Sequence, residues 1–142
     1  MEPTEFKTLA EELARRKTAA DRRTAISRAY YYAFLSGRKF VGRYLFVPAN
    51  HTGHEHLKRL LHATQDADLE DVARQLGDLR NYRNEADYDL NRPRPENETH
   101  VDLCIKTAVG SVQDLVKVIG DAPRWNKIVG ILSKDPSYAP RP

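Results

Sequence analysis

The apolar residues of this chain follow the spacing of α-helices almost from end to end. The clearest run advances in steps of four and three residues: Val101, Ile105, Ala108, Val112, Leu115 and Ile119. These steps place every member on one face of a helix, because an α-helix turns once in about 3.6 residues. No segment alternates apolar and polar residues over the length that a convincing β-strand needs. The sequence therefore predicts an all-α protein.

Prolines and capping residues divide this pattern into six helices. Pro3 suits the first turn of the first helix, and Asp66 or Asp68 can cap the fourth. Pro93 and Pro95 must lie between helices, because proline inside a helix removes a hydrogen bond and clashes with the preceding turn. The predicted helices span about 3–17, 21–45, 57–61, 69–90, 101–119 and 122–132.

Chain length and the absence of apolar runs limit the class of protein. The 142 residues suit one domain, which we predict over residues 1–133, followed by a Pro-rich tail at 134–142 outside the core. Cys104 is the single cysteine, so an intramolecular disulfide is excluded and a packed side chain is expected. No apolar run reaches the roughly 20 residues of a membrane span. We predict a soluble cytoplasmic protein with no membrane partner.

Charge is distributed unevenly along the chain. Residues 1–46 contain 10 Lys and Arg against 5 Asp and Glu, whereas residues 47–100 contain 7 against 11. The net charge is only +3, so the composition permits nucleic acid as a partner without requiring it. The alternative is that these charges simply cover solvated helix faces.

Small residues form a row in the second predicted helix. Ala29, Ala33 and Gly37 are spaced four apart and lie on one face. Such a row lets another helix approach closely. The partner helix can belong to the same chain or to a second copy across a dimer seam, and the sequence leaves both interpretations open.

Charged residues interrupt the apolar stripe of the fourth predicted helix. The stripe consists of Val72, Leu76, Leu79, Arg83, Ala86 and Leu90. Arg83 thus lies on the face expected to be buried, and Asp87 follows one turn later, where it can pair with Arg83. A buried charge is costly unless it is paired. The pair either ties helices together or belongs to a polar functional site.

The same helix contains the best candidates for chemistry. Arg80 and Arg83 stay charged at any working pH, so they can bind anions or stabilise negative charge. Asn84 can orient a phosphate or water, and Asp87 can act as a base or hold Arg83 in place. RNA cleavage by the 2′-hydroxyl needs a base, a cation and an acid. No phosphate-binding glycine motif occurs, so no cofactor is predicted.

Three histidines, His51, His54 and His56, fall close together before the third predicted helix. Their spacing, with Gly53 between them, does not place enough ligands on one side for a metal. We therefore predict no metal site and interpret these histidines as solvated or capping side chains.

Two sequence blocks resemble the HEPN superfamily of small helical proteins. One is Ala-Ile-Ser-Arg-Ala-Tyr-Tyr-Tyr-Ala-Phe at 25–34, and the other is Arg-Asn-Glu-Ala-Asp-Tyr-Asp at 83–89. The second is similar to the Arg-x-x-Ala-Asp-Tyr block of an uncharacterised bacterial HEPN branch. The resemblance implies an up-and-down bundle of four to five helices, here with a short C-terminal helix. It also implies a homodimer in which polar motifs from two subunits meet in one cleft.

In active relatives that motif is an arginine followed, after a short run, by a histidine, and it cleaves RNA without a metal. Asp87 and Tyr88 stand where this histidine is expected. The resemblance therefore carries over Arg83, with Asn84, Asp87 and Tyr88 as the other candidate catalytic residues and Arg80 as a candidate RNA contact. It also implies a toxin-antitoxin or defence system with a nucleotidyltransferase or nuclease partner. Two hypotheses remain, a non-catalytic or weakly active dimeric interaction module and a metal-independent endoribonuclease toxin.

Overall fold

The computed structural model describes residues 1–138. These residues form six α-helices and one 3₁₀ turn, joined by short loops. Of residues 1–138, 77% are helical and none belongs to a β-strand, so the predicted all-α class is confirmed. None of the described helices combines the length and apolar character needed to cross a membrane. The elements are α1 (Pro3–Arg16), α2 (Ala19–Val41), α3 (Gly53–His62), α4 (Ala67–Tyr88), the 3₁₀ turn (Arg94–Glu96), α5 (Glu98–Gly120) and α6 (Ala122–Leu132).

Polar side chains cap the starts of four helices. Thr18, Asp66, Asn97 and Asp121 each accept a hydrogen bond from a backbone N–H in the first turn of α2, α4, α5 and α6, respectively. These caps stabilise N–H groups that have no partner within the helix. Of the two caps predicted for the fourth helix, Asp66 is the one used, since its Oδ1 lies 3.1 Å from the Leu69 nitrogen.

The long helix α2 lies at the centre of a helical bundle. It packs against α1, α4 and α5, while α3 packs mainly on α4 and α6 on α5. Leu57, Leu60 and Leu61 of α3 are fully buried, as the amphipathic pattern of this short helix predicts. Cys104 of α5 is also fully buried, and burial raises the pKa of its thiol to about 12. The prediction of a packed cysteine is confirmed.

The small-residue row of α2 packs inside the chain. Ala29 and Ala33 are 1% exposed, and Gly37 is buried. A Cβ atom on Gly37 would lie 2.9 Å from Cδ2 of Leu57 and 3.6 Å from Cδ1 of Leu115. The row therefore brings α3 and α5 close to α2, and its interpretation as a dimer seam is wrong.

The second helix ends earlier than the sequence predicts. It stops at Val41, not Leu45, and the Gly42 nitrogen donates to the Arg38 carbonyl at 2.9 Å. Tyr44, expected in the buried stripe, is 42% exposed. The Tyr44 and Leu45 nitrogens both donate to the Val41 carbonyl, so residues 42–44 form a turn and the helix does not continue.

The fourth helix and the tail also differ from the sequence prediction. α4 ends at Tyr88, and Leu90, expected on its buried stripe, is 75% exposed because the chain has already left the helix. The sequence predicts a tail outside the core, but Tyr138 is only 8% exposed and packs edge-on against His56, with ring centroids 5.7 Å apart. An aromatic ring gains from such burial. Residues 139–142 of the predicted tail lie outside the described residues.

Candidate functional site

The last turn of α4 is held by Arg23, a buried arginine of α2. Arg23 is 8% exposed. Its guanidinium donates to the carbonyls of Ala86 at 3.0 Å, Asp89 at 3.0 Å and Arg92 at 2.6 Å, and its Nε donates to the Glu96 carboxylate at 2.9 Å. Carbonyls at a helix C-terminus have no partner within the helix. Arg23 supplies that partner and fixes the end of α4.

The predicted ion pair of α4 is present beside this anchor. Arg83 Nε donates to Oδ2 of Asp87 at 3.1 Å, and the Ser27 hydroxyl donates to the same oxygen at 3.2 Å. Arg83 also donates from Nη1 to the Asn84 side-chain oxygen at 3.2 Å. The Arg83 and Asp87 side chains remain 18% and 27% exposed, so the pair is half-buried rather than part of the core.

The four residues predicted as catalytic are brought together at the surface. The Arg83 guanidinium lies over two rings, 5.3 Å from the Tyr31 centroid and 5.7 Å from that of Tyr88. Tyr88 is 73% exposed, and Asn84 is also exposed. Arg83, Asn84, Asp87 and Tyr88 thus form one cluster that solvent can reach.

A cleft of about 540 Å³ opens beside this cluster, between α2, α3 and α4, and we call it the α4 cleft. Its lining includes Tyr30 and Phe34 of α2, His54 and Lys58 of α3, and Arg80 and Asn84 of α4. Arg80, predicted as an RNA contact, is held only loosely, since its Nη1 lies 3.9 Å from the carboxylate of Glu55. A loosely paired guanidinium at a cleft can bind an incoming anion.

A histidine also lines this cleft, although the fourth helix contains none. His54 is the second residue of α3, where its Nδ1 forms a hydrogen bond with the Tyr30 hydroxyl. Its ring stacks on Phe34, with centroids 3.9 Å apart and planes 14° from parallel. The expectation of a solvated or capping histidine is wrong for His54, because two aromatic side chains of α2 enclose its ring.

The surroundings of His54 favour its neutral form. Burial is the main cause that lowers the pKa of His54, followed by the positive charges of Arg80, Arg83 and Arg38. Burial also raises the pKa of Tyr30, so its hydroxyl stays protonated. A neutral imidazole has a ring nitrogen that can accept a proton.

The other two histidines of the segment lie apart from this site. His56 makes a hydrogen bond through Nε2 to the Phe46 carbonyl at 3.0 Å, and His51 is exposed. Within residues 1–138, no group of three His, Cys, Asp or Glu side chains is arranged to hold a metal ion.

Local sequence patterns do not identify His54 as a site residue. Gly53 suggests a turn, but here it begins α3. Glycine is required at this position, because a Cβ atom would lie 2.3 Å from the Pro48 carbonyl oxygen. Tyr30 and Phe34, one helical turn apart on α2, both contact the His54 ring. The contact between Tyr30 and His54 joins residues that are 24 positions apart in the sequence. The apolar periodicity of a single helix therefore cannot predict it.

The chain matches no protein-family model, no curated protein and no solved structure.

Proposed function

We propose that this chain is a HEPN-type protein of a prokaryotic toxin-antitoxin or defence system that binds RNA in the α4 cleft and cleaves it slowly without a metal. The observation that supports this most is that Arg80 and His54, from different helices, line the same cleft. An arginine and a histidine at one solvent-accessible site provide a phosphate ligand and a proton acceptor. The resemblance of the 83–89 block to HEPN sequences points the same way.

Binding would begin with the phosphate group. Arg80 has only a long carboxylate contact, 3.9 Å from Glu55, and Lys58 of α3 lines the same cleft. A phosphate between them would gain charge-assisted hydrogen bonds. Asp87 and Ser27 would hold Arg83 in position, so that Arg83 adds positive charge next to the cleft.

Cleavage would use the 2′-hydroxyl of the RNA as nucleophile. His54 accepts the 2′-hydroxyl proton while O2′ attacks the neighbouring phosphorus. The new O2′–P bond forms, the P–O5′ bond breaks, and the leaving 5′ oxygen takes a proton from water. The proton on His54 then neutralises the resulting hydroxide, which restores the neutral imidazole. The products are a 2′,3′-cyclic phosphate and a 5′-hydroxyl. The base is Nε2 of His54, with Nδ1–H donating to the Tyr30 hydroxyl oxygen. We expect slow turnover, because water serves as the acid.

The test is incubation of the purified protein with end-labelled single-stranded RNA in the presence of a chelator. We expect cleavage that leaves 2′,3′-cyclic phosphates, and we expect His54→Gln to lose cleavage while RNA binding remains. Arg80→Ala should weaken binding and make it less dependent on salt, because fewer counterions are released. Arg92→Ala is the matched control, since its side chain is 68% exposed and pairs only with Asp89. Absence of RNA binding would overturn the proposal.

The second candidate function is a non-catalytic interaction module that docks a nucleotidyltransferase or nuclease partner. It is favoured by two apolar side chains at the end of α4, since Tyr88 and Leu90 are 73% and 75% exposed. A stable complex with a genetically adjacent nucleotidyltransferase, together with no RNA binding, would decide for this function. Loss of that complex in Leu90→Ser would locate the docking surface.

A homodimer would use this same surface, so in the second candidate function the partner protein would replace the second copy of the chain. Because Ala29, Ala33 and Gly37 are used inside the chain, the interface we propose is the exposed end of α4 with Tyr88 and Leu90. Light scattering at micromolar concentration should give twice the monomer mass of 16.2 kDa. A monomer at every concentration would exclude the dimer.

A further inference from the structure

A second cleft adjoins the α4 cleft and shares lining residues with it. It has a volume of about 470 Å³, and we call it the loop cleft because residues 49–51 form one wall. Phe34 and His54 line both clefts. Their stacked rings are therefore accessible from both clefts.

The loop cleft combines cations with aromatic faces. Arg28 lies 5.4 Å from the Phe6 ring centroid and 5.2 Å from that of Tyr31, and Arg38 lies 5.6 Å from that of Phe34. Guanidinium planes and aromatic rings are the surfaces on which proteins stack unpaired nucleobases. This arrangement is suited to a base, whereas the α4 cleft, with Arg80 and Lys58, is suited to a phosphate.

No acidic side chain of the loop cleft neutralises its positive charges. Its lining includes Arg28 and Arg38 and no acidic residue. Arg38 donates only to the Ala49 carbonyl, at 3.3 Å, and Arg28 donates to the Ser27 hydroxyl, also at 3.3 Å. The Arg28 Nε is buried and has no hydrogen-bond partner within residues 1–138. An RNA strand would bring negative charge to both guanidinium groups.

We infer that the two clefts bind consecutive nucleotides of one single-stranded RNA, with the connecting phosphodiester between Arg80 and Lys58 in the α4 cleft and the following base stacked in the loop cleft. This inference rests on the proposed function and adds the substrate class to it. A base-paired strand does not fit, because its bases are already stacked on each other and cannot enter a separate cleft. The site should therefore select unpaired RNA of at least two nucleotides.

The experiment compares a mononucleotide with a dinucleotide by NMR titration of the full chain. The probes are uridine 3′-monophosphate and a uridylyl dinucleotide whose first sugar is 2′-deoxy, so that it cannot be cleaved. We expect the dinucleotide to bind about tenfold more tightly, the order of magnitude of one added stacked base. Arg28→Gln and Phe6→Leu should remove that gain and leave mononucleotide binding unchanged.

Arg43→Gln is the matched control, because Arg43 also lies over a ring, 5.3 Å from the Phe40 centroid, but lines neither of the two clefts. It should keep the tenfold gain. Thermal melting of each variant shows whether the fold is intact, and Phe6→Leu provides a second test if Arg28→Gln does not fold.

Two results would overturn the inference while leaving the proposed function in place. In one, both probes bind equally and both depend on Arg80. In the other, the gain persists in folded Arg28→Gln and Phe6→Leu. If neither probe nor longer RNA binds, the proposed function fails together with the inference.

Discussion

Arg23 of α2 and Glu96 of the 3₁₀ turn form an ion pair, with Nε and Oε1 2.9 Å apart, although 73 residues separate them in the sequence. The same guanidinium also donates to the Ala86 carbonyl in the last turn of α4 and to the Asp89 and Arg92 carbonyls between α4 and the 3₁₀ turn. One side chain thus connects the central helix to the connection that follows the candidate site. Replacement of Arg23 should therefore disturb the segment between α4 and the 3₁₀ turn more than it disturbs any residue of the α4 cleft.

Arg23→Met should lower the free energy of unfolding by about 3 kcal/mol. Methionine fills similar space but leaves the buried Ala86 carbonyl, the partly buried carbonyls of Asp89 and Arg92, and the Glu96 carboxylate without their donor. Urea denaturation monitored by circular dichroism measures the change. Arg92→Ala should change the unfolding free energy by less than about 0.5 kcal/mol, because its side chain lies in solvent. Equal losses in the two variants would contradict this role of Arg23.

Asp87→Asn should lower the free energy of unfolding by about 1 kcal/mol, which lies between the values for exposed and buried ion pairs. The pair with Arg83 is half-buried, and the Ser27 hydroxyl adds a hydrogen bond to the same oxygen. The measurement is again the urea unfolding free energy. Asp71→Asn provides the comparison, because its pair with Arg74 is well exposed and should contribute little. A smaller loss for Asp87 than for Asp71 would speak against the half-buried placement.

Two glycine substitutions should act in opposite directions. Gly37→Ala should destabilise the protein by about 1 kcal/mol, since the new methyl would press on the fully buried Leu57. Gly110→Ala, in α5, has no atom within 4 Å of the new methyl and should stabilise by about 0.5 to 1 kcal/mol through helix propensity. Melting temperatures of the two variants, measured side by side, check both signs.

Stability should fall as the pH is lowered from 7.5 to 5.5. The pKa values of His54 and His100 are lowered in the folded protein, mainly by burial. The unfolded chain therefore binds protons near pH 6 that the folded chain does not, so unfolding is favoured as protons are added. Urea midpoints at the two pH values measure this loss, and His54→Gln and His100→Gln should each reduce it. A midpoint that rises on acidification would contradict the burial of these rings.

Local features of the sequence were sufficient to predict most helix boundaries and the Arg83–Asp87 pair. The cap at Asp66, the helix Ala122–Leu132 and a pair four residues apart all depend on neighbours within one turn. The end of α4 depends instead on Arg23, and the burial of His54 depends on Tyr30 and Phe34. Such contacts between distant segments leave no periodic trace, which is why these features could not be predicted.

The division of the candidate site between α3 and α4 affects how similar proteins can be detected. A sequence pattern confined to one helix would reject this chain, because Arg80 and Arg83 lie on α4 while His54 lies at the start of α3. A more suitable pattern joins a glycine-histidine pair at the start of a short helix to two arginines three residues apart on the next helix. It should also require two aromatic residues four apart on the preceding long helix. Under the proposed function, a chain without a histidine in its fourth helix can still place one beside the arginines of that helix, from the start of the third.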